Sequence, residues 1–158
     1  MNSVEVRVVN LSPAKFVSFY GYGETPETIA WEKLIAFASP VGYLDNRENH
    51  RIFGFNNPDP SPGSPNYGYE VWIEVVESAE PKGDLKIVDF TGGMYAVTRC
   101  EVRGNAYDVI PETWKRLLAW REDSEYKAGN YQWLEEFIHE EGIAEGDFTL
   151  DLYLPIDK

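Results

Sequence analysis

Cysteine is almost missing from this chain. Cys100 stands alone among 158 residues, so no intrachain disulfide can form and a reducing, cytoplasmic setting is expected. Histidine is nearly as scarce. His50 and His139 lie at ligand spacing neither from each other nor from Cys100, so no metal or other cofactor is expected. No apolar run approaches the ~18–20 residues that span a bilayer. The opening Met1-Asn2-Ser3-Val4-Glu5-Val6-Arg7 has neither the basic segment nor the apolar stretch of a signal peptide. Basic residues are few as well, 14 against 27 acidic, for a formal charge of −13. Nucleic-acid affinity depends on neutralising phosphates, so direct DNA or RNA binding is not expected. Such a field favours a cationic ligand or a basic partner. Gly92-Gly93 sits between strands and reads as a turn, not as a phosphate-binding loop ahead of a helix.

Aromatic residues are abundant: five Trp, ten Tyr and eight Phe. Their placement follows an internal repeat. Val6-Arg7-Val8-Val9-Asn10-Leu11-Ser12 matches Leu85-Lys86-Ile87-Val88-Asp89-Phe90-Thr91, and Phe16-Val17-Ser18 lies over Tyr95-Ala96-Val97 without a gap. Ala30-Trp31-Glu32-Lys33-Leu34-Ile35-Ala36-Phe37 then matches Thr113-Trp114-Lys115-Arg116-Leu117-Leu118-Ala119-Trp120.

Each half reads as extended chain, a helix, then two more strands. Val4 to Tyr22 is β-rich and broken at Ser12-Pro13. Thr25 is an expected N-cap with Pro26 at the first helical position, and Pro40 and Gly42 end that helix. Strands are expected at Arg51 to Phe55 and Tyr69 to Val76, either side of a Pro-rich loop. In the second half, Leu85 to Phe90 and Met94 to Glu101 flank the Gly92-Gly93 turn. Asp108 is the expected cap of the second helix, with Pro111 in its first turn. Strands follow at Tyr131 to Ile138 and Phe148 to Ile156. The expectation is a single α+β domain over residues 1–158, two βαββ units of about 4–76 and 84–156. Antiparallel strands would carry the helices on one face, and a pseudo-two-fold axis would leave a ligand cleft between the halves.

Three strands alternate aliphatic with aromatic and acidic residues. Tyr131, Trp133, Glu135 and Phe137 share one face, while Leu134 and Ile138 on the other are expected to pack against helices. Asp151 and Tyr153 stand opposite Leu150, Leu152, Leu154 and Ile156. Trp72 lies between Glu70 and Glu74, opposite Val71, Ile73 and Val75. A carboxylate on a partly dehydrated aromatic wall is poorly solvated, and a cation restores the balance while gaining ~0.5–2 kcal/mol from each well-placed ring. Glu135 is therefore the expected centre of a binding site with Trp133, Phe137, Asp151, Tyr153 and Trp72, and with Trp114 and Tyr20 completing the lining.

Thr91-Gly92-Gly93-Met94-Tyr95-Ala96-Val97 resembles the G-G-x-Y-A-V turn and strand of the GyrI-like family, the effector-binding domain of AraC-type and MerR-type multidrug regulators. The Trp114 helix after Val102-Arg103-Gly104, Asn57-Pro58-Asp59 before Tyr69-Glu70-Val71, and the closing Leu150-Asp151-Leu152-Tyr153-Leu154-Pro155-Ile156 are similar to further parts of its pattern. The resemblance implies the duplicated βαββ fold and a small, often cationic aromatic ligand. It places Leu134-Glu135-Glu136-Phe137 on the family's F-E-x-Y strand, whose glutamate lines the pocket, with Phe137 replacing the tyrosine. Asp151 and Tyr153 fall on its acidic and aromatic pocket positions. Because the module begins within a few residues of Met1, a free-standing binding protein is expected. The resemblance leaves two alternatives: a hydrolase of cyclopropane-containing DNA alkylators, with Glu135 activating water and Tyr153 donating to the oxyanion, and a protective partner of DNA gyrase.

Overall fold

A computed structural model describes residues 5–57, 59, 61–75, 85–139 and 147–158. Val4, Pro58, Val76 and Asp84, which entered the repeat limits and the loop motif, lie outside the described residues. In chain order the elements are β1 (Arg7–Leu11), β2 (Ala14–Gly23), α1 (Pro26–Ala38), β3 (Ile52–Asn56), β4 (Tyr67–Val75), β5 (Lys86–Phe90), β6 (Gly93–Val102), α2 (Ala106–Glu122), β7 (Lys127–Ala128), β8 (Leu134–Ile138) and β9 (Phe148–Asp157). All strand pairs described below are antiparallel, and the class is α+β.

The chain forms two compact units, a continuous one of Pro13–Thr91 and a split one of Met1–Ser12 with Gly92–Lys158. In the continuous unit the strands run β3-β4-β2-β5. In the split unit they run β1-β6-β9-β8, with β7 also paired to β9. The units thus differ from the sequence halves, because each half lends its first strand to the other. β1 leaves the first half to pair with β6, placing Arg7 opposite Val97. β5 leaves the second half to pair with β2, placing Lys86 opposite Ser18. Ser18 and Val97 are repeat equivalents, so the trade is reciprocal down to the residue.

Helix α1 carries Pro26 in its first turn, where the missing N–H costs nothing, and Thr25 as N-cap without a side-chain hydrogen bond. Its buried residues Pro26, Ala30, Leu34 and Ala38 recur every fourth position and form one stripe, whereas Ile35 is exposed. The stripe lies on the β2 face that carries Val17 and Gly21. A Cβ on Gly21 would stand 2.9 Å from Ile29 Cβ and against the Pro26 carbonyl, so this close approach requires glycine.

Helix α2 starts earlier than expected. Asn105, not Asp108, is its N-cap, and the backbone N–H of Asp108 donates to Asn105 O at 3.1 Å. Pro111 consequently lies inside the helix. The carbonyl that it leaves unpaired belongs to Tyr107, an exposed residue, so water can take the place of the lost bond. Under α2 the core of the split unit gathers Ala96, Cys100, Val102, Leu150, Leu152, Leu154 and Ile156 around Leu117, with Trp114, Leu118 and Phe137 packed against it. Ala96 is the repeat equivalent of Val17, so each helix covers the same face of its own unit. No described helix is long and apolar enough to cross a membrane.

Candidate functional site

The face of the continuous unit turned away from α1 carries the aromatic and acidic side chains. Strand alternation and register place Phe16, Ser18 and Tyr20 of β2 there, with Phe53 and Phe55 of β3, Glu70, Trp72 and Glu74 of β4, and Lys86 and Phe90 of β5. The rings form one cluster: Phe16–Trp72 at 5.4 Å, Phe55–Trp72 edge-on at 5.1 Å, Phe16–Phe53 at 5.6 Å and Phe16–Phe90 at 6.0 Å between centroids. Against it sits Glu70, only 4% exposed. Ser18 Oγ donates to Glu70 Oε2 at 2.7 Å, Trp72 Nε1 to the same oxygen at 2.6 Å, and Asn57 Nδ2 to Oε1 at 3.3 Å. Lys86 Nζ stands 3.6 Å from Oε2. Burial alone would raise the Glu70 pKa. The hydrogen bonds from Trp72 and Ser18, the Lys86 charge and the Asn57 bond outweigh it and hold the carboxyl below the usual glutamate range. The result is an ionised carboxylate on an aromatic wall, with exposed Tyr20, Asn57 and Lys86 along its solvent edge.

Glu74, two positions along the same face, is closed by Arg51 through bonds of 2.9 and 3.0 Å. That pair borders an open depression of about 600 Å³ lined also by Asn46, Glu48, Asn49 and His50. Among the described residues no group of three or more His, Cys, Asp and Glu could hold a metal ion.

The split unit repeats the arrangement with different chemistry. Asp151, 2% exposed, occupies the register position equivalent to Glu70, and Tyr153 that of Trp72. Arg7 Nη2 donates to Asp151 Oδ2 at 2.6 Å, and Arg99 donates through Nε to Oδ1 at 2.7 Å and through Nη2 to Oδ2 at 3.3 Å. Tyr153 OH donates to Glu136 Oε1 at 2.7 Å and Tyr95 OH to the Gln132 carbonyl at 2.7 Å. Burial, then the Glu136 charge and hydrogen bond, push the Tyr153 phenol up, and burial does the same to Tyr95.

The expected site residues therefore divide. Trp72 and Tyr20 lie beside Glu70. Asp151 and Tyr153 lie on the equivalent face of the split unit. Glu135 and Phe137 lie on the α2 side instead, because β8 pairs with β9 so that Glu135 faces Leu152 and Phe137 faces Leu150 of the helix-covered core. Trp133 packs against Trp114 of α2, their rings tilted by 35° with centroids 5.3 Å apart. The expectation that Leu134 and Ile138 pack against helices is reversed. Leu134 pairs with Tyr153 and is buried on that side. The expected strand from Tyr131 also begins only at Leu134, since the edge of β9 beyond Tyr153 is taken by the Gly129 N–H, which donates to the Pro155 carbonyl, and by β7.

Residues 7–156 match the family model of Cass2, described as an integron-associated effector binding protein. The chain belongs to this GyrI-like family. A search of curated proteins gives no significant match. Solved structures show the same fold at low identity. A structure described as a hydrolase from Listeria innocua is 11% identical with a TM-score of 0.67, the match covering 99% of this chain and 94% of that one. The EcmrR C-terminal domain is 12% identical with a TM-score of 0.67, covering 98% of each. SAV2435 bound to tetraphenylphosphonium is 10% identical with a TM-score of 0.56, covering 97% of this chain and 94% of that one. Sequence reasoning noted Glu70 only as one instance of a pattern and missed Ser18, Lys86 and Glu136. The usable signal was the repeat itself, which sets Arg7 over Lys86.

Proposed function

We propose that this chain binds one hydrophobic or aromatic cation at Glu70 of the continuous unit. The observation that carries the reading is the contrast between two equivalent buried carboxylates. Asp151 is locked by two guanidiniums. Glu70 is held ionised by neutral donors among aromatic rings, with one loosely placed ammonium nearby. A ligand cation there gains the carboxylate's charge and the face of Tyr20, the exposed ring opposite Glu70, while the buried Trp72, Phe16 and Phe55 back the carboxylate. The effector-binding description of the family and the tetraphenylphosphonium held by SAV2435 support a ligand of this class. The hydrolytic alternative, with Glu135 activating water and Tyr153 donating a proton, finds no support in the register. Those two residues project from opposite faces of the split unit's sheet.

Titration with tetraphenylphosphonium, followed by calorimetry and tryptophan fluorescence, tests the reading. One site is expected, and Glu70→Gln should weaken it at least about tenfold, a loss of ~1.4 kcal/mol, because the lost attraction is poorly screened. Glu135→Gln should leave affinity within about twofold, the scale of a distant surface change. Equal losses in both variants, or none at Glu70, would overturn the assignment.

A further inference from the structure

We infer that Lys86 is a tethered competitor: in the empty protein its ammonium takes up the place beside Glu70 that a ligand's positive charge must occupy. The inference rests on the reading of Glu70 as the ligand's partner and goes on to name the residue that sets how strongly a cation is favoured over a neutral molecule of similar shape.

Three observations carry it. First, the contact is loose. Lys86 Nζ lies 3.6 Å from Glu70 Oε2 and its side chain is 66% exposed, beyond the 2.7–3.2 Å range of a good N–H···O bond. Glu70 keeps Trp72, Ser18 and Asn57 as donors when the lysine swings away, so departure leaves no buried carboxylate oxygen orphaned. Second, the repeat supplies an internal control. Lys86 is the equivalent of Arg7, and both arrive on the traded strands β5 and β1 opposite Ser18 and Val97. Arg7 holds Asp151 at 2.6 Å, a fixed charge-assisted bond, whereas lysine offers a compact, well-hydrated charge on a flexible stem. Third, Arg99, the second guanidinium on Asp151, has Tyr20 as its equivalent in the continuous unit, directly opposite Glu70. Where the split unit spends a second cation to close its carboxylate, the continuous unit offers a ring.

A ligand cation thus has to displace Lys86, while a neutral ligand does not. Because the ammonium end of this loose pair stays mostly in solvent, it changes an affinity by a factor of about 1.5 to 5. The test compares tetraphenylphosphonium with the neutral triphenylphosphine oxide by calorimetry on the full chain. Lys86→Met should raise affinity for the cation about two- to fivefold and leave the neutral probe unchanged, while Lys86→Arg, which supplies the fixed charge-assisted grip that Arg7 has on Asp151, should lower affinity for the cation. Combining Lys86→Met with Glu70→Gln should abolish the gain. If Lys86→Met leaves cation affinity unchanged or lowers it while Glu70→Gln still weakens binding, the competitor role is wrong and the Glu70 site stands. If Glu70→Gln has no effect, the binding reading fails and this inference fails with it. Since Lys86 is largely exposed, circular dichroism and the thermal midpoint serve as the check that each variant is folded.

Discussion

Replacing Asp151 by asparagine should cost more stability than any exposed charge change in this chain. The carboxylate is 2% exposed and takes three charge-assisted bonds, from Arg7 at 2.6 Å and from Arg99 at 2.7 and 3.3 Å. Hydrogen bonds to charged groups contribute about 1.5–3 kcal/mol, and stripping one partner from a fully buried pair costs about 3–5 kcal/mol. Here the arginine side chains are 53% and 47% exposed, so each can rehydrate when its partner goes, which moves the figure down. A loss of about 2–3 kcal/mol follows, or a midpoint lowered by roughly 6–9 °C for a chain of this length. Urea unfolding followed by tryptophan fluorescence reads the first quantity and scanning calorimetry the second. Double-mutant cycles with Arg7→Met and Arg99→Met should give coupling with each arginine. A loss below about 1 kcal/mol, or coupling to neither arginine, would refute the view that Asp151 ties β1 and β6 to β9.

Two further outcomes concern pH. Glu70 and Glu74 both lie below their ordinary value of 4.5, so their stabilisation is full above that value and is lost as pH falls through their lower native values; Glu74→Gln should flatten the acid limb of stability against pH. Tyr95 and Tyr153 are shifted the other way from 10.0, so stability should decline as pH rises above 10, and Tyr153→Phe should remove one late step from the ultraviolet titration of the folded protein.

Much of the fold could be read from local pattern. The repeat, the two helices with Pro26 near the start of the first, and the aliphatic face of Val71, Ile73 and Val75 all follow from periodicities that local chain geometry enforces. The site depended on what periodicity does not encode. Alternation says that Glu135 and Glu136 face opposite ways, but only the pairing of β8 with β9 says which one faces α2. The Tyr131–Trp133 segment looked extended because its residues favour strands, yet Gly129 and β7 occupy the edge of β9 that it would pair with, and the strand starts later. Asp108 looked like a cap because Pro111 followed it, whereas an exposed Tyr107 lets a proline sit inside the helix. Lys86 belonged to an aligned pair from the outset. Its role emerged only when β5 was found beside β2.

The trade of β1 for β5 also decides where this chain can be cut. Residues 13–91 contain all four strands and the helix of one unit, whereas a fragment following the repeat, 4–76, keeps β1 without β6 and loses β5 altogether. A shorter protein made of a single repeat would have to pair its leading strand either with its own second strand, in a tight hairpin across Ser12-Pro13, or with the second strand of another molecule. In the second arrangement two copies exchange that strand and, with it, the basic residue facing the buried acid. The present chain holds the same exchange within one polypeptide. Within it the two copies differ: one seals its carboxylate with a pair of arginines, and the other carries a lysine that can let go.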